Sequence, residues 1–194
     1  GIFSAGLAQK LINIEGSLPG RSVVVVGSGD IGLIMARRFI LEGARVHAVV
    51  EIQRQSRGLT RNVVQCLEDF QVPLYFSHKI SKIYGKDRVE KVDVVKVDDH
   101  YQELPETKFP IACDTVLISA GLIPENELIE MAGVAMDRTT NTPASGELNT
   151  TSVPGLFVCG NSYKVYDLVD SVTVDSEKAG RQAAQYLKNL SQTR

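Results

Sequence analysis

Four consecutive valines at 23–26 run into Gly27-Ser28-Gly29-Asp30-Ile31-Gly32. Beyond a helical pattern, a second apolar run at 46–50 ends on Glu51. The order is strand, glycine turn, helix, strand, acid, and few folds accept it. Each glycine has a separate task. Gly27 permits the tight turn out of the strand, Gly29 lets backbone approach a pyrophosphate, and Gly32 lets the helix lie close to the sheet. The helix is expected to begin near Ile31, so that its unpaired N–H groups and roughly half a unit of positive dipole charge face an anion. Ile31, Ile34, Met35, Phe39 and Leu41 are expected to form its packing face, with Gly43 as its stop. With Glu51 lying 19 residues beyond Gly32, the pattern predicts an adenine dinucleotide site. It is built from Gly27, Ser28, Gly29, Asp30, Ile31 and Gly32, with Glu51 at the ribose.

Glu51 also bears on which dinucleotide. A carboxylate there accepts the ribose hydroxyls of NAD, whereas a 2′-phosphate brings about −1.5 to −2 charge beside it. Like charges at about 4 Å repel by about 4 kcal/mol per unit pair at an effective dielectric near 20. NAD is therefore expected rather than NADP. Arg54 and Arg57 follow closely and would partly reverse this if they reached a phosphate; the alternative is that both sit in a solvated loop.

The chain has 194 residues, 43% hydrophobic and 23% charged, with a net charge of −2. That balance gives no electrostatic case for a nucleic-acid or anionic-membrane partner. No apolar run is long enough to span a membrane, no signal peptide is visible, and a cytoplasmic location is expected. Cys66, Cys113 and Cys159 form no CxxC pair and no zinc spacing, so each is read as a small buried hydrophobe and no metal is expected. His47, His78 and His100 are scattered, and none is read as catalytic. The sequence opens on Gly1 and a helix-like segment, as if it starts inside a longer protein.

A helix is expected over 4–14, followed after the 20–51 unit by a helix at 61–70 with Val63, Val64, Leu67 and Phe70 inward. A short strand at 74–76 precedes runs at 80–84, 89–97 and 108–112 that read as a small antiparallel meander. A buried strand is expected at 115–119, a short helix at 125–131, loop from 137 to 151, and a last strand at 156–159. A final helix is placed over 174–190, with Ala179, Ala183, Tyr186, Leu187 and Leu190 inward. The expected fold class is α/β, a Rossmann-like parallel sheet with helices and an antiparallel meander.

Three phrases stand in order: GSGDIG, TVLISAGLIPEN, and GLFVCGN followed by a helix. In that order, over residues 18–190, the chain resembles the FAD/NAD(P)-dependent pyridine nucleotide–disulfide oxidoreductase superfamily. Within it, GSGDIGLIMARR, CDTVLISAGLIPENEL and GLFVCGNSYKVYDLVDSVTVDSEKAG are similar to the NAD(FAD)-utilizing dehydrogenases related to the sarcosine oxidase alpha subunit and hydrogen cyanide synthase. The resemblance implies a three-layer FAD/NAD(P)-binding fold divided as a linker helix (1–19), an NAD-binding domain (20–112) and a return into an FAD-binding domain (113–194). It places Ala120 and Gly121 at the crossing between the two. It puts Gly160 and Asn161 near the ribityl and phosphate of the flavin, and the helix N-terminus near Thr173 at the isoalloxazine ring.

The departures narrow the expectation. Only one GxGxxG is present, so FAD is expected only with an N-terminal half that lies outside this sequence. The redox CxxxxC and the terminal His-Glu base of the disulfide reductases are missing. Ile34 stands where many relatives carry an acid, and Asn161 stands where the family usually has one. The resemblance implies hydride transfer between nicotinamide and FAD in the intact protein, with the isolated chain idle and no acid–base residue assigned. The alternative is a non-catalytic nucleotide-binding subunit. Expected partners are the dinucleotides, with a second copy or other subunits of a dehydrogenase complex.

Overall fold

A computed structural model describes residues 1–144, 146 and 149–192. The chain divides into two compact units, residues 1–121 and 122–194. In the first, five strands form a parallel sheet: β1 (Ile2–Ser4), β2 (Ser22–Val26), β3 (Arg45–Glu51), β4 (Leu74–Phe76) and β8 (Thr115–Ile118). Their order is β1-β8-β2-β3-β4. The central β2 is covered on both faces, which is why it reads as an unbroken apolar run rather than an alternation.

One face carries α1 (Ala5–Asn13), α2 (Asp30–Leu41) and α3 (Thr60–Cys66). Val23, Val25, Val49 and Leu117 from the sheet pack there against Ala8, Leu33, Met35, Ala36 and Phe39. The other face is covered by an antiparallel meander of β5 (His78–Tyr84), β6 (Lys91–Lys96) and β7 (Phe109–Ala112). Val24, Val50 and Val116 meet Val92 and Val94 on that side. Helices, parallel sheet and meander make the expected three layers. β8 sits between β1 and β2, so the compact unit runs on to Gly121, nine residues beyond 112.

Several expectations are corrected. Ile31, Ile34 and Leu41 are exposed, and the buried face of α2 is Gly32, Leu33, Met35, Ala36 and Phe39. The stripe runs at 32, 35, 36 and 39, and its small members carried too little hydropathy to set the phase. Val64 is likewise exposed, while Cys66 and Leu67 are buried. β1 was not foreseen. Three residues show no period, and Ser4 doubles as the N-cap of α1, its Oγ accepting the Leu7 N–H at 3.2 Å.

The second unit holds α4 (Glu127–Met131), a two-stranded hairpin of β9 (Met136–Asp137) and β10 (Thr142–Pro143), and α5 (Val169–Gln192). All of the hairpin but Met136 lies within the stretch expected to be loop, 137–151; residues 145, 147 and 148 of that stretch fall outside the described residues. The expected strand at 156–159 is reduced to one bridge between Thr150 and Phe157. α5 starts at Val169, five residues earlier than expected; the low helix propensity of Val, Ser and Thr over its opening concealed that start in the sequence. Thr173 therefore lies inside the helix, its Oγ donating to the Val169 carbonyl at 3.1 Å. Leu187 and Leu190, expected inward, are exposed.

Candidate dinucleotide site

The glycine turn joins β2 to α2 at the carboxyl end of the parallel sheet. Gly27 has φ +94°, and a Cβ there would lie 2.2 Å from the Ser119 carbonyl oxygen. A Cβ on Gly32 would lie 2.8 Å from both the Gly27 oxygen and the Ser119 Cβ. These two glycines are required by the protein's own packing against the end of β8, where the Ser119 N–H donates to the Val26 carbonyl at 2.7 Å.

Gly29 is different. A Cβ there would meet nothing within 4 Å, and the backbone, at φ −68° and ψ 161°, suits any residue. Gly29 is the N-cap of α2 and supplies no side-chain cap. The first intrahelical bond runs from the Leu33 N–H to the Gly29 carbonyl, which leaves the N–H groups of Asp30, Ile31 and Gly32 ahead of the helical ladder. Open space over a helix N-terminus is the arrangement that accepts a phosphate. Ala120 and Gly121 follow β8 after Ser119; Gly121 has φ +135° and also open space beside its Cα.

Glu51 is buried at the foot of the turn. Its Oε2 accepts both the Ser28 N–H at 2.8 Å and the Ser28 hydroxyl at 2.6 Å, and its Oε1 accepts the Gln53 N–H at 2.8 Å. A carboxylate offers about four lone-pair positions, so one remains on Oε1 for a further donor such as a hydroxyl. Asp30 does not cap the helix toward the open space. Its Oδ1 accepts from the Leu59 N–H at 2.8 Å and from Asn62 Nδ2 at 2.7 Å.

Sequence reasoning missed this strap over residues 56–62. The Gly58 N–H and the Ser56 hydroxyl both donate to the Ser28 carbonyl, at 2.9 and 3.0 Å. A Cβ on Gly58 would fall 2.5 Å from Leu33 Cδ1. The Ser56-Arg57-Gly58 turn signal was the available clue. Arg54 pairs with Asp99, whereas Arg57 has no ion pair among the described residues.

In the second unit, Gly160 takes φ +64° and its N–H donates to Asp175 Oδ2 at 2.8 Å. Asn149 Nδ2 donates to Asp175 Oδ1 at 3.1 Å. Burial works to raise the Asp175 carboxyl. The bonds from Asn149, Gly160 and Tyr166 outweigh it and hold its pKa below the ordinary value. Asn161 accepts the Tyr166 N–H through Oδ1 at 3.1 Å, which leaves its amide N–H groups as donors.

Cys66 and Cys113 are buried, Cys159 is partly buried, and all three are free thiols. Among the described residues no cluster of His, Cys, Asp and Glu could hold a metal, and no helix is long and apolar enough to cross a membrane.

The fold and turn define a three-layer α/β protein with a glycine-rich turn between a parallel strand and a helix. More narrowly, residues 5–183 match the pyridine nucleotide-disulphide oxidoreductase family, and the chain belongs to it. It is 30% identical over 168 residues to a CoA-dependent NAD(P)H sulfur oxidoreductase of Pyrococcus abyssi, covering 83% of this chain and 35% of that one. It is 26% identical over 186 residues to the small chain of glutamate synthase [NADPH] of Halomonas elongata, covering 88% and 39%. The chain thus spans little more than a third of these curated relatives. Among solved structures it is similar to the thioredoxin reductase of T. acidophilum, with TM-score 0.69 and 23% identity over 87% of this chain and 52% of that one. It is also similar to that of Lactococcus lactis, with TM-score 0.73 and 15% identity over 97% and 58%. Both structures share the fold.

Proposed function

We propose that this chain is the NAD(H)-binding part of a flavin-dependent oxidoreductase. The observation that carries the reading is Gly29, a position where the protein's own packing has no need of glycine and a pyrophosphate does. The N–H groups of Asp30, Ile31 and Gly32 would hold the diphosphate. Glu51 would accept a ribose hydroxyl through its remaining Oε1 position, with Ser28 fixing the carboxylate from below. Ala120 and Gly121 would let backbone approach the nicotinamide end. Gly160 and Asn161 would serve the flavin, Asn161 through its free amide donors, and the start of α5 would supply dipole. When bound, the two cofactors supply hydride exchange between nicotinamide and FAD.

The similarity to the NAD(P)H sulfur oxidoreductase of Pyrococcus abyssi supports a nicotinamide partner. In this reading FAD is held chiefly by residues outside these 194, and this chain is related to the sarcosine oxidase alpha subunit and hydrogen cyanide synthase group. The test is calorimetric titration of the purified chain with NADH. Binding near one equivalent without yellow flavin absorbance is expected; no binding overturns the site, and stoichiometric FAD overturns the division of labour.

One observation favours a second reading, a nucleotide-binding subunit without turnover. The Gly160 N–H and Asn161 Oδ1 are both already engaged within the chain. Anaerobic NADH added to the full-length protein separates the two: bleaching of the flavin supports hydride transfer, and NADH binding without bleaching supports the subunit.

A further inference from the structure

Immediately beyond Glu51 the chain is tied to a turn of the meander. The Ser77 N–H donates to the Gln53 carbonyl at 3.0 Å, and the Val97 N–H donates to the Ser77 carbonyl at 2.7 Å. Tyr101 Oη donates to Gln53 Oε1 at 3.2 Å. The turn is itself rigidly specified. Asp98 Oδ1 accepts the N–H groups of His100 at 2.8 Å and Gln102 at 2.9 Å, and Tyr101 adopts φ +59°. The residue it projects is Asp99, and Asp99 is ion-paired with Arg54. The pair stands on the wall of a cavity of about 640 Å³, lined also by Ser77, Lys96, His100 and Leu104. Ser77 and Arg54 follow the carboxyl ends of β4 and β3, the side of a parallel sheet on which nucleotides lie.

We propose that Asp99 is a specificity-determining residue that selects against a 2′-phosphorylated dinucleotide. The inference rests on the reading of Gly27–Gly32 and Glu51 as the dinucleotide site. Arg54 lies three residues past the ribose acid and is the first cation along the chain that could meet a 2′-phosphate there. Asp99 occupies its guanidinium and sets a second fixed negative charge beside it, so a 2′-phosphate would share Arg54 with a carboxylate and meet two carboxylates instead of one. A free 2′-hydroxyl is indifferent to the pairing. Both partners are more than 70% exposed, so the pair adds little to stability and its removal leaves the fold intact.

The experiment is titration of wild type, Asp99→Asn and the double variant Asp99→Asn/Arg54→Ala with NAD⁺ and with NADP⁺. Wild type is expected to prefer NAD⁺. Asp99→Asn should tighten NADP⁺ binding about fivefold, leave NAD⁺ within about twofold, and lose the gain when Arg54 is also removed; the size is that of one exposed charge pair. An unchanged NADP⁺ affinity in Asp99→Asn, a gain that survives loss of Arg54, or a wild type that prefers NADP⁺ overturns the inference while leaving the dinucleotide site in place. Failure of wild type to bind either nucleotide overturns the site itself.

Discussion

Ser28 gives both its backbone N–H and its hydroxyl to a single oxygen of Glu51, at 2.8 and 2.6 Å, and neither residue has meaningful solvent exposure. The glycine turn and the acid 23 residues later are thereby one structural object. Removing the carboxylate strands two buried donors on Ser28, each costing about 1–3 kcal/mol when left unpaired. Glu51→Ala is therefore expected to lower unfolding free energy by about 3 kcal/mol in urea titrations and to weaken NADH binding. Ser28→Ala deletes only the hydroxyl and should cost about 1 kcal/mol. A Glu51→Ala protein as stable as wild type would show that the pair does not hold the turn.

The three glycines of the turn separate folding from binding. Gly29→Ala places its methyl in open space on a backbone alanine adopts freely, so stability should stay within about 0.5 kcal/mol, as for a surface substitution. The same methyl would stand where the pyrophosphate approaches, and the NADH Kd should rise at least about tenfold, equivalent to about 1.4 kcal/mol. Gly32→Ala is the converse. Its methyl meets the Gly27 oxygen and Ser119 Cβ at 2.8 Å, so a loss of about 1–3 kcal/mol in stability is expected from overpacking. Thermal melts beside calorimetric titrations of both variants check the contrast; a Gly29→Ala protein that binds NADH normally would sink the pyrophosphate assignment.

What the sequence disclosed and what it hid divide along a physical line. The strand, turn, helix and strand of the first unit were readable because each bond closes over a short span: Val26 into Gly27, Gly29 into α2, Val50 into Glu51. The meander was readable from alternation. The phase of α2 was not, because Gly32 and Ala36 pack through backbone proximity rather than side-chain bulk. The strap from Ser56 to Asn62 was hidden because its partners, Ser28 and Asp30, are near only after folding. Asp175 was hidden for the same reason: its three donors, Asn149, Gly160 and Tyr166, are scattered along the chain.

Acid should loosen the two units through different groups. His47 Nε2 lies 2.8 Å from the Ser22 hydroxyl, and burial, followed by the charge of Arg45, pushes its pKa below the ordinary value against a smaller opposing pull from Asp114. The folded state then binds the proton less readily than the unfolded one. This contribution is complete above about pH 6.5 and is lost as pH falls below it toward the depressed folded value. Asp175 has a lowered folded pKa, so its contribution is present above about pH 3.9 and is lost as pH falls toward the folded value. Urea midpoints should therefore decline in the range just below pH 6.5, and His47→Gln should flatten that part of the profile while leaving the decline below pH 4. An unaltered slope in His47→Gln would assign the higher step to another group.

The thiols give a test of whether this chain carries disulfide chemistry of its own. Burial, with a smaller push from Asp114, drives the Cys113 thiol up to about 11, and burial raises Cys66 as well. The thiolate is the reactive species, so both should be inert near neutrality. Cys159, on the turn before Gly160, is only partly covered. An Ellman titration of the native chain at pH 8 is expected to report about one reactive thiol, rising to all three in denaturant, as the exposures dictate. Cys159→Ser should abolish the native-state reaction. Loss of reactivity on mild oxidation, with the mass falling only by the two hydrogens that a disulfide releases, would mean that two of these cysteines meet, and the chain would then have a redox pair that its spacing conceals. Retention of one free thiol under the same oxidant is the expected result, because Cys66 and Cys113 sit in different clusters, on opposite faces of the parallel sheet.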